Sequence, residues 1–103
     1  MDVRLTARHC SISDTLRRRT AERLLALRRY EPTLAAADVR FASDHGAPLA
    51  EVRLICRRST LQASAGGETF QAAIDAAVER AERQLRRRRD RLTDHKAAAP
   101  PAA

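Results

Sequence analysis

Residues 60–92 read TLQASAGGETFQAAIDAAVERAERQLRRRRDRL, and within them one apolar period gives way to another. Leu61, Ala63 and Ala65 alternate with Gln62 and Ser64, the period of two that marks a half-buried strand. Gly66 and Gly67 turn the chain, and Thr69 is a suitable N-cap for a helix running to about Leu92. On that helix Phe70, Ala73, Ile74, Ala77, Ala81 and Leu85 fall within about 100° of one another and form a buried stripe. Arg80, Arg83, Arg87 and Arg91 stack along one edge, while Asp75, Glu79 and Glu82 take the other flank. A helix with one apolar stripe directly after a strand needs a sheet to cover.

Upstream, DVRLTAR at residues 2–8 alternates strictly, with Val3, Leu5 and Ala7 on one side. Cap-type residues Ser11 to Asp14 precede a helix over about 14–29, whose apolar positions Leu16, Thr20, Leu24 and Leu27 lie within about 80°. Ala21 and Leu25 are expected to widen that face, and Pro32 ends the helix region. A second strand is expected over 37–43 with Val39 and Phe41 inward, followed by a turn at Asp44 to Pro48. The third covers about 49–58, with Val52, Leu54 and Cys56 inward and Ile55 breaking the alternation as an exposed apolar residue. The order is β-α-β-β-β-α: an α+β two-layer sandwich, a four-stranded sheet with two helices packed on one face. Residues 1–92 make one domain, and the Ala/Pro-rich segment 93–103 is expected to be a disordered tail.

The chain has 103 residues, with 20 Lys+Arg against 13 Asp+Glu and a net charge of +7. Lys96 is the only lysine, and the aromatics are Tyr30, Phe41 and Phe70. Aliphatic residues suffice for a core, no apolar run reaches the ~20 residues a membrane helix needs, and MDVRLTARHC has no signal-peptide core. A cytoplasmic protein that is monomeric in isolation is expected, with no membrane partner. Cys10 and Cys56 make neither a disulfide framework nor a zinc site, and His9, His45 and His95 lack partners at metal-ligand spacing. Gly66-Gly67 lacks the Gly-Lys-Ser/Thr of a phosphate loop. The residues therefore suggest no catalytic set, metal, cofactor or small-molecule substrate.

The arginines admit two readings. One is a solvated helix face laced with Glu79–Arg83 and Glu82–Arg86 pairs four apart. The other is a ridge that tracks phosphate, since four like charges along one edge repel and the fold has no need of them. The first helix adds Arg17, Arg18, Arg19, Arg23, Arg28 and Arg29, and guanidinium suits phosphate because its fork grips two oxygens at once.

Ala63-Ser64-Ala65, then Ala72-Ala73-Ile74-Asp75 and Arg83-Gln84-Leu85 before a basic run, resemble the ribosome hibernation-promoting factor family. Its members are also called ribosome-associated inhibitors or sigma-54 modulation proteins. Thr6, Ile12, Leu16, Leu27 and Tyr30 support the resemblance, which covers about residues 1–92. Thr69, Phe70, Gln71 and Ala7 depart from the usual family residues at capping and packing positions. The resemblance implies a non-enzymatic factor that binds the small ribosomal subunit and its rRNA in the channel for messenger and transfer RNA. It would inhibit translation in stationary phase or stress. The implied RNA-binding residues are Arg17, Arg23, Arg80, Arg83, Arg86, Arg87, Arg89 and Arg91. Long members carry a second domain; only residues 93–103 follow the helix here, so a short form is expected. The competing reading is a generic structured-RNA-binding module with the topology of a double-stranded-RNA-binding domain.

Overall fold

Local signals start and stop each element of the computed structural model, which describes residues 1–98, with side chains as far as Arg89. β1 spans Asp2–Arg8 and α1 spans Asp14–Ala26, extended by a 3-10 turn at Leu27–Arg29. Ser13 caps α1 by accepting from the Leu16 N–H at 3.1 Å. β2 (Ala36–Asp44) and β3 (Ala47–Ile55) form a hairpin closed by His45 and Gly46. Both turn residues have positive φ, 50° and 84°, the backbone a two-residue hairpin favours. β4 covers Thr60–Gly66 and α2 covers Phe70–Ala98, started by Thr69, whose hydroxyl accepts from the Ala72 N–H at 3.0 Å.

The sheet order is β1-β2-β3-β4. β1 and β2 are parallel, which requires a crossover, and α1 is that crossover. The other two pairings are antiparallel. Both helices cover one face, giving the α+β two-layer sandwich with the element order read from the sequence. Ala37, Val39, Phe41, Ala50, Val52, Leu54, Ala63 and Ala65 point from the strands into the core. Leu24 and Leu27 from the first helical segment and Ala73, Ile74, Ala77, Ala81 and Leu85 from α2 meet them. Phe41 and Phe70 pack edge to face with centroids 6.1 Å apart.

Several boundaries and burials differ from the sequence reading, each for a local reason. The first helix narrows to a 3-10 turn at Leu27, four residues before Glu31-Pro32 would force the break. β3 stops at Ile55 rather than at Arg58, because Ile55 pairs with Thr60 and the residues between them make the turn. The Cys56 N–H donates to the Ser59 carbonyl at 2.8 Å, leaving Arg57 and Arg58 at the tip. α2 continues through Thr93 to Ala98, since that stretch holds no proline or glycine and alanine favours helix. Of the tail expected over residues 93–103, residues 93–98 are thus helical, and 99–103 lie outside the described residues.

Leu25 is 47 % exposed because it sits roughly 150° from the middle of the α1 stripe. Ile55 is exposed at 38 %, as its broken alternation suggested. Val78, about 20° beyond Leu85 on the α2 wheel, is buried toward α1. Leu34 is buried from the α1–β2 loop, where no period could signal it. Thr20 fills an apolar position with a buried hydroxyl that has no hydrogen-bond partner among the described residues.

Gly67, in the short connection from β4, lies tight against the first turn of α2. A Cβ there would stand 2.8 Å from the Ala73 nitrogen and 2.9 Å from the Ala72 Cβ. Gly67→Ala is therefore expected to destabilise the protein by roughly 1–3 kcal/mol, as overpacking does. Gly46→Asn should change stability by less than about 1 kcal/mol, because asparagine tolerates the left-handed backbone and nothing crowds that site. Urea denaturation of the two variants measures this; a Gly67→Ala protein as stable as the parent would contradict the packing.

Candidate nucleic-acid interface

The topology decides where the arginines go. Both helices follow strands that run the same way, so both return in the opposite direction and end at the same pole of the sheet. The β3–β4 turn lies at that pole too. Arg28 and Arg29 at the end of α1, Arg57 and Arg58 on the turn, and Arg86 to Arg89 on α2 thus converge from three elements. Cations at helix C-termini also oppose the negative end of the helix dipole.

Two contacts orient α2. Arg23 of α1 forms an ion pair with Asp75 at 2.6 Å, which places α1 on the acidic flank of α2. On the opposite flank Arg80 donates to the Ser64 carbonyl at 2.6 Å and Gln84 to the Gln62 carbonyl at 3.2 Å. Arg88, one further turn along, donates to the Ser59 hydroxyl. β4 is an edge strand, and Arg80 and Gln84 occupy carbonyls that an edge otherwise leaves open to another chain.

The expected site residues separate into groups. Arg23 and Arg80 each commit a nitrogen to the fold. The Arg86 guanidinium lies 5.8 Å from the centre of the Tyr30 ring, which Arg29 also approaches at 5.1 Å. Arg83 and Arg87 are exposed on the outer flank, with no hydrogen bond or ion pair among the described residues. Arg89 is exposed nearby, and Arg17 is half-buried on the first half of α1. The Arg91 side chain lies outside the described residues. Neither Glu79–Arg83 nor Glu82–Arg86 closes into an ion pair, so the outer arginines are not neutralised along the helix. The sequence reading placed Arg57 and Arg58 in a strand and left Arg88 out of the site. Their signal was the gap of residues needed to turn β3 into β4.

The helix-free face of the sheet has a different electrostatic character. Register brings Arg4 beside Asp38 and Asp38 beside Arg53, while Arg40 faces Glu51. A shallow trough of about 430 Å³ lies there, lined by Arg4, Thr6, Arg8, Asp38, Arg40 and Glu51 among others. Alternating signs leave this face with little net charge, and the positive surplus lies on the helix layer and its pole. Among the described residues no group of His, Cys, Asp and Glu stands together as a metal site, and no helix is long and apolar enough to cross a membrane. Burial, then the Glu31 carboxylate, pushes the Cys56 thiol up, and Arg88 offsets this in part. Cys56 therefore stays a neutral thiol rather than a nucleophile. Cys10 donates weakly to the Phe41 carbonyl at 3.6 Å.

Residues 3–93 match the model of the sigma-54 modulation protein / S30EA ribosomal protein family. Among solved structures, the N-terminal domain of Protein Y from Thermus thermophilus is similar at 28 % identity and a TM-score of 0.76. That likeness covers 84 % of this chain and 98 % of the other. A ribosomal subunit interface protein from Coxiella burnetii shares the fold at 20 % identity and a TM-score of 0.76, over 94 % of this chain and 99 % of that one. A comparison with curated proteins gives no significant match.

The Arg23–Asp75 pair retains 37 % and 40 % side-chain exposure, so solvent screens it and its coupling is expected to be below about 1 kcal/mol. A double-mutant cycle with Arg23→Gln and Asp75→Asn, followed by denaturation at low and high salt, reads that coupling. It should shrink with salt; a salt-independent coupling of several kcal/mol would contradict a surface pair.

Proposed function

The chain belongs to the sigma-54 modulation protein / S30EA ribosomal protein family, and from that membership and its basic helix layer we propose that it is a ribosome hibernation factor. It binds the small ribosomal subunit in the channel for messenger and transfer RNA, and by filling that channel it stops translation in stationary or stressed cells. It acts in the cytoplasm by occupancy, and no substrate is turned over. The observation that carries this reading is the pair Arg83 and Arg87, exposed one turn apart and unneutralised by neighbouring carboxylates.

A guanidinium in that setting presents its fork to a phosphate, and each contact releases counterions from the RNA. Arg17, Arg86 and Arg89 extend the surface on the helix layer, and Arg91 continues the Arg83–Arg87 spacing in sequence. Arg23 and Arg80 serve the fold first and offer their remaining donors beside it. The mixed-sign sheet face makes the molecule electrostatically one-sided, which gives it a preferred orientation on a polyanion.

The test is an Arg83→Gln/Arg87→Gln variant bound to purified small subunits across a salt series. Its melt should match the parent, since both residues are exposed, and its binding should weaken. The log–log salt slope should fall by roughly 0.7–0.9 for each lost phosphate contact. In a reconstituted translation system the parent should inhibit stoichiometrically with ribosomes. Inhibition at a small fraction of the ribosome concentration would overturn the occupancy mechanism. Equal affinity for isolated RNA duplexes would favour a generic duplex binder.

A further inference from the structure

We propose that the β3–β4 turn is a second phosphate-binding site of this chain: Arg57 and Arg58, with Arg88 beside them, hold the sugar–phosphate backbone of ribosomal RNA. This inference rests on the ribosome-binding reading and extends its footprint off the helix layer to the sheet edge. Turn tips favour Gly, Asn, Asp, Ser and Pro, which fit tight backbone conformations; two consecutive arginines contribute nothing to the turn and repel each other. Both are exposed, and among the described residues neither guanidinium has an ion-pair or hydrogen-bond partner.

The tip is also held in place before any ligand arrives. The Cys56 N–H to Ser59 carbonyl bond closes it. The Arg57 N–H donates to the Thr33 hydroxyl at 3.4 Å, tying the turn to the α1–β2 loop. Arg88 fixes Ser59 from above through its hydroxyl. A pre-ordered site loses less conformational freedom on binding than a loose loop would.

Arg57, Arg58 and Arg88 line a recess of about 200 Å³ together with Glu31 and Thr33. Glu31 accepts a hydrogen bond from the Thr33 hydroxyl, and it forms no ion pair with Arg57, Arg58 or Arg88 among the described residues. Three cations against one carboxylate leave the recess positive, unlike the alternating trough on the sheet face. The nearest aromatic ring on the helix layer, Tyr30, is already covered by Arg29 and Arg86. A stacked base thus has no free platform, and the chemistry suits the phosphodiester backbone without regard to sequence. The recess lies at the pole between the α1–β2 loop and the β3–β4 turn, and Arg88 joins it to α2, the helix that carries Arg83 and Arg87.

The experiment compares three full-length proteins on purified small subunits across a salt series: the parent, Arg57→Gln/Arg58→Gln, and Arg57→Lys/Arg58→Lys. The glutamine pair should bind more weakly, with the log–log salt slope lowered by roughly 1 per arginine removed. The lysine pair should retain most of the slope because it keeps the charge. A glutamine pair that melts normally and binds like the parent, while Arg83→Gln/Arg87→Gln binds more weakly, overturns the second site and leaves the ribosomal reading standing. If neither variant differs from the parent, the ribosomal reading falls as well. Association lost with the glutamine pair but insensitive to nuclease would mean a protein partner and would also overturn the proposal.

Discussion

The close approach of α2 to the sheet is the constraint on which the rest of this molecule depends. Ala73, Ala77 and Ala81 are 2 % exposed or less, and their short side chains let the helix axis lie low over β3 and β4. From that height Arg80 and Gln84, one turn apart, reach the carbonyls of the edge strand, and Arg88, a turn further, reaches Ser59 on the β3–β4 turn. Longer residues in the stripe would lift the helix and take those side chains out of reach. The same seating fixes the rotation of α2: its acidic flank meets α1 through Asp75, and Arg83 and Arg87 face outward.

That rotation divides the arginines between two tasks. Some hold the layers together: Arg23 across the helix pair, Arg80 over the sheet edge, Arg86 against Tyr30. Arg57, Arg58, Arg83 and Arg87 have no side-chain hydrogen bond or ion pair among the described residues, and they lie on the outer flank of α2 and at the pole where both helices end. A fold that needed the arginines only for solubility would scatter them, as the sheet face does with Arg4, Asp38, Arg53, Arg40 and Glu51. The segregation arises from topology as much as from composition, since it is the strand order that delivers three basic segments to one end.

Much of this was legible in the chain because periodicity reports burial. Strict alternation at residues 2–8 located β1, and the apolar stripe of α2 placed its buried face. Elements whose cues are long-range were not legible. Leu34 is buried by contacts from a loop, and Arg57 and Arg58 read as strand because their outward position depends on where the Ile55–Thr60 pair closes. Spacing put Arg80 on an exposed edge of the helix, but its bond to the Ser64 carbonyl required knowing that β4 is an edge. Leu25 was an error of angle rather than of missing information, for its place on the wheel already pointed it outward.

The central claim is that one side of this protein, the outer flank of α2 and the adjoining pole, faces ribosomal RNA. Arginine-selective modification with phenylglyoxal, read by mass spectrometry on the protein alone and bound to small subunits, tests it most directly. The account predicts that Arg57, Arg58, Arg83 and Arg87 lose reactivity on binding while Arg4, Arg40 and Arg53 keep theirs. Protection of the sheet-face arginines with undiminished reactivity along α2 would contradict it.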